Sequence, residues 1–445
     1  MFKKHIYLPL EILPRELNSK LLLGLYAAKS GFRVYLGSKE SINYLLNKKK
    51  NNKQKAGIFF YKGQFINKYK SMTKFISQTC DELVVLDEEL GVAVKDYTHG
   101  INERLRNFNS INQFYCIGKK LKKIINKSRK SFSKKAIVTG WPRIDLWSPK
   151  FNGLFESEVN KLRKIYGEYY LFSSDFGAIS KKGLNKAIKQ VKKTKSFQPK
   201  IKTFRKNYYD YQEFKSFIKK MALKINKKII IRPHPGDMYH ETWFKDFKNS
   251  KNIRVIYDDD ISPWILGSSG LIHRGCSTAI QASFNRIPVF YWQSKQKLEK
   301  KDKLISYKIS NKFRTIDQFL YLVKKNKSSL RKSDKKLISK EIYMPKNITS
   351  SQLIVNNLKK IKIKKEKRFK RDSFNFFKTS LLNILFRFLI KINIKKDQFS
   401  KQYMQKFPYR INSALLQKKS KKLFPNSNFT FYSLSNELIE INLDR

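Results

Sequence analysis

Short apolar runs and helical stripes alternate along the first third of the chain. His5–Leu10 is a compact apolar run of strand length. Segment 17–29 then carries leucines and alanines three and four residues apart, which is the spacing of one helix face. Gly31 stands where a glycine commonly ends a helix, and Phe32–Leu36 is a second apolar run. This order predicts a strand, a helix and a second strand that pairs in parallel with the first.

The same alternation continues to about residue 345 and predicts an α/β fold. Further strands are predicted over 57–61, 82–86, 114–117, 136–138, 169–174, 228–232, 253–257, 270–273 and 287–292. Because 445 residues exceed one ordinary core, we expect two domains. We place an N-terminal Rossmann-like domain at 1–150 and a C-terminal Rossmann-like domain at 151–359, with a cleft between them.

The remaining tail, 360–445, has a different pattern. Seven of the eleven residues in 361–371 are basic, and residues 381–392 are strongly apolar except for Asn383, Arg387 and Lys391. Basic flanks around an aromatic and aliphatic helix are typical of a helix at a membrane interface. The alternative is a helix that packs on the body of the protein. The apolar stretches are shorter than the ~18–20 residues of a membrane-spanning helix.

Charge and cysteine content narrow the class of protein. The chain has 96 Lys and Arg residues against 34 Asp and Glu residues, a net charge of +62. A compositional bias that spreads lysine over the surface is one explanation of this excess, and attraction to an anionic membrane surface or an anionic substrate is another. We expect no nucleic-acid partner, because the sequence has no zinc-finger spacing, RNP-like motif or helix-turn-helix signature.

The three cysteines of the chain, Cys80, Cys116 and Cys276, are far apart in sequence. This spacing argues against disulfide bonds and a zinc site and favours a cytoplasmic location.

Two loops in the second domain carry candidate chemistry. The strand over 228–232 runs into Arg232-Pro233-His234-Pro235, where the prolines stop the strand and leave an Arg and a His in a stiff loop. Ligands of open α/β sheets bind at the carboxyl ends of strands. The alternative is a rigid turn with a solvated His.

The second loop follows the strand over 270–273. His273 precedes a turn of small residues, and Ser277 and Thr278 open a helix. Their hydroxyls and the free N–H groups of that helix end could bind an anion, although an ordinary N-cap would look the same. Because both loops follow strands of one predicted sheet, we predict a donor-binding site formed by Arg232, His234, His273, Ser277 and Thr278.

The first domain offers acidic candidates. Asp87, Glu88 and Glu89 follow the strand over 82–86, where a carboxylate could act as a general base. A solvated acidic turn is the alternative. Glu11, Arg15 and Glu16 follow the first strand, and Glu11 and Arg15 are possible cleft residues. A structural Arg–Glu pair within this group is the alternative. Arg143 is a third possible cleft residue, with a pair to Asp145 as its alternative.

Several motifs together resemble a known family. Arg232-Pro233-His234-Pro235 and the His273…Ser277-Thr278-Ala279…Ile287-Pro288-Val289 stretch resemble the His-Pro and Ser/Thr motifs of bacterial capsule glycosyltransferases of the GT-B fold, including polysialic acid and Kdo-type transferases. The acids at 87–89, the opening stretch 6–23 and the segment 139–145 resemble surface carbohydrate biosynthesis proteins. The resemblance covers about residues 5–350.

The resemblance implies a GT-B-like glycosyltransferase of surface polysaccharide biosynthesis, either lipopolysaccharide or capsule. It implies a nucleotide-sugar donor, with a CMP-linked ulosonic acid favoured, and a lipid-linked glycan acceptor at the inner membrane face. Arg232, His234 and the Ser277–Thr278 helix end could offset the charge on the leaving phosphate without a metal or another cofactor. Glu88 or Glu89, with Asp87 beside them, would supply the base.

Two alternatives remain open at the level of the sequence. One is a transferase of glycerol phosphate or a related polyol phosphate from a CDP donor, which also uses a GT-B fold. The other is a non-catalytic scaffold of polysaccharide assembly that keeps a degenerate nucleotide fold. Leu90 stands where the family has glycine, and Gln281 stands where related donor sites often have Glu. These two departures favour the scaffold.

Overall fold

The chain forms two compact units. The computed structural model describes residues 3–51, 55, 57–62, 70–88, 111–128, 130–177, 179–193, 201–235, 237, 241–257, 260–295, 304–325, 332–363, 365, 373–392 and 403–444. Unit 1 comprises Met1–Leu154 together with Ser339–Arg445, and unit 2 comprises Phe155–Ile338. Both ends of the chain therefore belong to the same unit.

Unit 1 is built on an eight-stranded sheet. Six of its strands come from the N-terminal part of the chain and pair in parallel. They are β1 (Lys4–Leu10), β2 (Phe32–Ser38), β3 (Ile58–Tyr61), β4 (Glu82–Leu86), β5 (Gln113–Cys116) and β6 (Ala136–Val138). Their order in the sheet is β2-β1-β3-β4-β5-β6. The carboxyl ends of these six strands share one edge, which is where ligands bind in parallel sheets.

Helices of unit 1 come from both ends of the chain. They are α1 (Leu13–Lys29), α2 (Lys39–Asn51), α3 (Lys70–Thr79), α4 (Lys119–Ser128), α5 (Pro142–Leu146), α15 (Ser350–Lys359), α16 (Ser373–Lys391) and α17 (Ser413–Leu423). Helix α1 starts with a proline in its first turn, where the missing N–H leaves no broken bond. Its leucines Leu21, Leu22 and Leu25 are fully buried.

The C-terminal part of the chain completes the sheet of unit 1. Strand β14 (Leu438–Leu443) pairs antiparallel with β2, and β13 (Phe429–Ser435) pairs antiparallel with β14. The sequence pattern ended the second domain at 359 and set 360–445 apart as a tail, whereas the compact units group residues 339–445 with residues 1–154. The physical reason is the edge of β2, whose backbone N–H and C=O groups pair with this distant hairpin.

Unit 2 is built on a six-stranded sheet in which every neighbouring pair is parallel. Its strands are β7 (Tyr169–Ser173), β8 (Lys228–Arg232), β9 (Ile253–Val255), β10 (Gly270–His273), β11 (Val289–Trp292) and β12 (Asn311–Phe313). The order is β12-β11-β10-β7-β8-β9. Strand β7 therefore lies between β8 and β10, the two strands that carry the candidate loops.

Helices cover the sheet of unit 2. They are α6 (Glu156–Tyr166), α7 (Lys181–Lys193), α8 (Ile201–Lys224), α9 (Glu241–Phe247), α10 (Ser262–Gly267), α11 (Thr278–Phe284), α12 (Ile305–Lys308), α13 (Ile316–Lys325) and α14 (Lys332–Glu341), the last of which crosses the unit boundary. The core beneath α8 is aromatic. Phe172 of β7 stacks on Phe214 with 4.1 Å between ring centroids, and Trp243 packs edge-on against Tyr211.

The predicted fold class is confirmed. Both units are α/β and Rossmann-like, with parallel strands joined by helices. The strands predicted near 228–232 and 270–273 end at Arg232 and His273, as expected. Within the described ranges, no helix combines the length and apolar character needed to cross a membrane.

Candidate functional site

The carboxyl edge of the unit 2 sheet brings three loops side by side. The Arg232–Pro235 loop follows β8, the Arg274–Thr278 loop follows β10, and the loop that begins at Ser174 follows β7 between them. The end of β7 and the loop after it contact both neighbours. Ser174 Oγ accepts a hydrogen bond of 2.7 Å from the backbone N–H of His234, and Ser173 Oγ lies 3.4 Å from Cys276 Sγ. The two candidate loops of unit 2 thus share one edge.

Asp237 fixes the shape of the His234 loop. Its buried carboxylate accepts hydrogen bonds from the N–H of His234 at 3.2 Å, the N–H of Gly177 at 2.7 Å and Trp243 Nε1 at 3.1 Å, and also from Ser174 Oγ. Four donors from three segments therefore converge on one side chain. The His234 bonds in this network come from its backbone N–H, so they would remain if the imidazole were removed.

Arg232 lies at the end of β8 and is buried. Its guanidinium is 5.2 Å from the centroid of the Trp264 ring, in cation–π contact. Tyr169 donates a hydrogen bond of 2.9 Å to the carbonyl of Trp264, which ties α10 to β7. Arg232 is therefore held at the sheet edge by packing as well as by the strand that carries it.

His273 is fully buried and belongs to the framework of the second loop. The N–H of Gly275 donates to Nδ1 at 3.0 Å, so the ring hydrogen is on Nε2 and is donated to Ser310 Oγ at 2.8 Å. Gly275 has φ 130°, in a region that side chains disfavour. Both ring nitrogens therefore make hydrogen bonds within unit 2, and the contact of His273 with the donor stays a prediction.

Arg274 is a buried residue of this loop that the sequence analysis did not single out. It forms an ion pair with the buried Asp210 of α8, donates to Asn207 Oδ1 at 3.1 Å and lies 3.5 Å from Asp175 Oδ1. The guanidinium also lies over the Phe176 ring at 4.9 Å. These contacts fasten the loops after β7 and β10 to α8.

Ser277 and Thr278 begin α11 at this edge. Ser277 is the N-cap residue, but its side chain makes no capping hydrogen bond, and its backbone is already helical. Thr278 Oγ1 is buried and has no hydrogen-bond partner among the described residues. An ordinary N-cap, the alternative that the sequence left open, would place the Ser277 hydroxyl on the helix N–H groups. Neither hydroxyl therefore caps the helix.

The acidic candidates of unit 1 lie at the end of β4. Asp87 and Glu88 are both buried, which argues against a solvated turn. Arg143 Nη2 lies 3.7 Å from Glu88 Oε2, and the guanidinium packs over the Trp141 ring at 5.5 Å. Glu89, the third predicted acid, is outside the described residues. The structure thus brings two of the predicted residues, Glu88 and Arg143, together.

Asp145 has a different role from the pair with Arg143 considered above. Its carboxylate accepts hydrogen bonds of 2.8 Å from the N–H groups of Ser350 and Ser351 and from Ser351 Oγ, at the start of α15. Burial raises the pKa of Asp145, although these bonds act in the opposite direction. Asp145 therefore anchors α15 to α5.

A second group of charges, the Glu16 cluster, lies at the end of β1 and consists of Glu11, Arg15, Glu16, Lys20 and Lys62. Glu16 is fully buried and pairs with Lys62 at 3.0 Å, Lys20 at 3.1 Å and Arg15 at 3.6 Å. Burial would raise the pKa of Glu16, but these three cations hold it well below the ordinary value. Arg15 and Glu16 thus form the structural pair that the sequence left open.

Lys62, missed from the sequence, connects the two acidic groups of unit 1. It follows β3, the strand between β1 and β4, and pairs with Glu11 at 3.1 Å. Burial disfavours the Lys62 cation, yet the carboxylates of Glu16, Glu11 and Glu88 raise its pKa above the ordinary value. Glu88 and Glu11 therefore act on the same lysine from opposite sides.

A pocket of about 170 Å³ opens beside Glu11. It is lined by residues at the ends of three strands and by a C-terminal segment, namely Pro9, Leu10, Glu11, Lys39, Glu40, Tyr61, Lys62, Tyr403, Lys406 and Phe407. We call it the Glu11 pocket. Burial lowers the pKa of Lys39 despite the nearby Glu40 and Glu11, while Lys406 pairs with Glu11 at 3.2 Å. Three lysines thus converge on a space bounded by aromatic rings.

Comparisons with known proteins give structural likeness only. No family model and no curated protein matches the chain. UDP-GlcNAc 2-epimerase from Methanocaldococcus jannaschii, solved with UDP-GlcNAc and UDP, is 13% identical with a TM-score of 0.49, covering 80% of this chain and 99% of that one. UDP-N-acetylglucosamine 2-epimerase from Rickettsia bellii is 10% identical with a TM-score of 0.45, covering 80% and 95%. The wall teichoic acid polymerase TagF, soaked with CDPG, is 12% identical with a TM-score of 0.45, covering 80% and 88%.

Proposed function

We propose that the chain is a glycosyltransferase of surface polysaccharide assembly. It transfers a sugar from a nucleotide donor, with a CMP-linked ulosonic acid favoured, to a lipid-linked glycan acceptor. The observation that carries the proposal is the shared edge of unit 2, where the Arg232–Pro235 and Arg274–Thr278 loops flank the loop after β7. Parallel α/β sheets bind nucleotides at this edge.

The donor phosphate would be held by cationic and hydroxyl groups of unit 2. His234 brings an imidazole to this edge, on a loop whose backbone N–H is held by Asp237 and Ser174. Ser277 and Thr278 offer hydroxyls that make no capping bond. Arg232 adds a buried positive charge at the end of β8. Fixed donors of this kind offset the negative charge that develops on a leaving phosphate.

The base that accepts the proton of the incoming hydroxyl would be Glu88 of unit 1. Glu88 is buried, lies two residues after β4 and has Arg143 Nη2 at 3.7 Å from its carboxylate. An oriented carboxylate can remove a proton as the new glycosidic bond forms. Asp87 beside it and Glu89 after it belong to the same proposed acidic group.

We propose that this reaction takes place at the inner membrane face. Nine basic residues and one acidic residue lie between 359 and 371, directly before the apolar helix α16. Clusters of this size before an apolar helix are attracted to anionic lipids. A lipid-linked acceptor would be reached from that surface.

Nucleotide binding tests the donor site. CMP, CDP, UDP and GDP are compared by thermal shift, and we expect a cytidine nucleotide to raise the melting temperature most. His234→Ala should keep the loop, because the backbone bond to Ser174 stays, but should lower transfer on the order of 100-fold. Ser277→Ala with Thr278→Ala should weaken nucleotide binding in the same screen.

Ser250→Ala is the matched control, since Ser250 precedes β9 and lies at the opposite edge of the sheet. It should leave both binding and transfer unchanged. Wild-type transfer by His234→Ala would refute the donor assignment. No response to any of the four nucleotides would refute the enzyme and favour a scaffold, while transfer of a polyol phosphate from a CDP donor would replace the sugar.

A further inference from the structure

Helix α16 carries an unusual concentration of exposed apolar side chains. Thirteen large apolar side chains are exposed among the described residues, and seven of them lie between 377 and 392. They are Phe377, Leu381, Leu382, Ile384, Leu385, Phe388 and Ile392, with exposed fractions from 36% to 66%. Single exposed apolar residues are normal on a protein surface, but a contiguous patch marks a surface that binds something.

Six of these side chains form one stripe along the helix. Phe377, Leu381, Ile384, Leu385, Phe388 and Ile392 follow one another at intervals of one, three or four residues. At about 100° per residue they occupy roughly 100° of the helix circumference. The helix has 19 residues and is therefore about 28 Å long. We call this surface the apolar stripe.

The other side of α16 is fastened to unit 1. Arg387 is buried, pairs with Glu437 at 2.5 Å and donates to the carbonyl of Phe407 at 2.7 Å. Asn383 donates to Tyr403 Oη at 2.8 Å and to Glu437 Oε1 at 3.2 Å. These polar anchors fix the rotation of the helix. The apolar stripe therefore faces away from unit 1 because of specific bonds on the opposite side.

Positive charge borders the stripe. Lys378 and Lys391 are exposed, and their helical positions place one on each side of it. Lysines in this position can extend to lipid headgroups while the apolar side chains enter the acyl boundary. The basic run before the helix adds to the same attraction.

We propose that the apolar stripe docks on the surface of an anionic lipid bilayer, with α16 lying in the plane of the interface. A second copy of the chain fits the stripe less well. Each copy carries a net charge of +62, and lysines border both stripes, so two copies would meet with like charge. An anionic lipid surface can bind both the apolar side chains of the stripe and the lysines that border it.

Docking in this orientation has a consequence for the Glu11 pocket. Tyr403, which anchors Asn383, lines that pocket, and so does Phe407, whose carbonyl binds Arg387. The residues that hold the membrane helix are thus the residues that form one wall of the pocket. If the acceptor is lipid-linked, which rests on the proposed function, its head group would meet the protein at the lysines of this pocket.

Flotation of the full chain with lipid vesicles tests the proposal. We expect binding to vesicles of phosphatidylcholine mixed with phosphatidylglycerol and much less binding to phosphatidylcholine alone. Leu381→Glu with Leu385→Glu should reduce the bound fraction at least about tenfold, since two exposed leucines that would enter the bilayer are replaced by two negative charges. Leu223→Glu is the matched control, because Leu223 is 87% exposed in α8 of unit 2 and should not matter.

Three results would overturn the proposal. They are equal flotation of the double variant and the wild type, failure of the wild type to bind anionic vesicles, and a dimer that light scattering detects in the wild type and not in the double variant. Leu381→Ser with Leu385→Ser, checked by circular dichroism, repeats the test if the glutamates disturb the fold. The flotation needs no nucleotide, so its failure leaves the donor site standing, and the nucleotide screen needs no vesicles.

Discussion

At the residue scale, a buried carboxylate at the carboxyl edge of the unit 1 sheet is kept ionised by neighbouring cations. Glu16 has no exposed surface, yet it stays ionised because Lys20, Lys62 and Arg15 surround it. Its pKa is well below the ordinary value of 4.5. A carboxyl group with a lowered folded-state pKa stabilises the protein above its unfolded pKa, and this contribution is lost as the pH falls towards the folded-state value.

Replacing Glu16 by Gln should therefore destabilise unit 1 at neutral pH by about 3–5 kcal/mol, because Lys20 and Lys62 lose their buried partner. The variant should also lose less stability than the wild type below pH 4.5. Urea unfolding at neutral and acidic pH, followed by amide exchange in β1–β3, measures both effects.

Glu168→Gln serves as the control for this prediction. Glu168 pairs with Lys227 in unit 2, but its side chain is 76% exposed, so its removal should change stability by less than about 1 kcal/mol. If Glu16→Gln were no more destabilising than Glu168→Gln, the Glu16 cluster would not be a stabilising feature of unit 1.

The sequence was sufficient to predict where strands end, but not which side chains bind one another across the fold. Arg232, His234 and Glu88 could be singled out because each follows an apolar run that predicts a strand. Asp237 and its partner Ser174 are 63 residues apart, and Arg274 and Asp210 are 64 apart. These pairs form because β7 lies between β8 and β10, and local spacing does not contain that strand order.

At the scale of elements, the contact between β14 and β2 is unusually close. Gly37 of β2 faces Leu438, and a Cβ placed on Gly37 would lie 2.3 Å from the carbonyl of Glu437 and 2.9 Å from the Cα of Leu438. Both neighbours are backbone atoms, which cannot rotate away. The absence of a side chain at Gly37 therefore allows the C-terminal strand to pair here.

Gly37→Ala should consequently destabilise unit 1 by about 1–3 kcal/mol, because the backbone of β14 must shift. Amide exchange should become faster in Leu438–Leu443 while β5 and β6 stay protected. Gly153→Ala is the control, since nothing lies within 4 Å of a Cβ at that position. Unchanged exchange in β14 with Gly37→Ala would mean that the hairpin is not held at this contact.

The βαβ elements were predictable, and the hairpin was not. Phe32–Ser38 and Lys228–Arg232 are apolar runs next to helical stripes. The spacing of their apolar residues and the alternation of strand and helix patterns along the chain therefore identify them as strands. Strands β13 and β14 are far from β2 in sequence, and their pairing depends on an edge that only the folded sheet presents. Helix α16 was expected from its apolar run, but its anchors Arg387 and Asn383 stood out only as interruptions of that run.

At the scale of the whole molecule, unit 1 is closed by the two ends of the chain while unit 2 is one continuous segment between them. A chain that stops after Lys360 would lose β13, β14, α16 and α17 together. The edge of β2 would then have no strand on one side, and α1 would lose its contact with Ile441 near Gly24. Unit 2 would keep all six of its strands.

We therefore expect this truncation to unfold or loosen unit 1 selectively. Amide exchange in β1 and β2 should become faster, while β7 and β8 should keep their wild-type protection, because their hydrogen bonds are all made within residues 155–338. Equal loss in both sheets would mean that the units do not unfold separately, and no loss in either would mean that the C-terminal hairpin adds little to unit 1. For the same reason, substitutions in the apolar stripe test membrane binding more cleanly than truncation, since they remove the docking surface and leave the sheet of unit 1 complete.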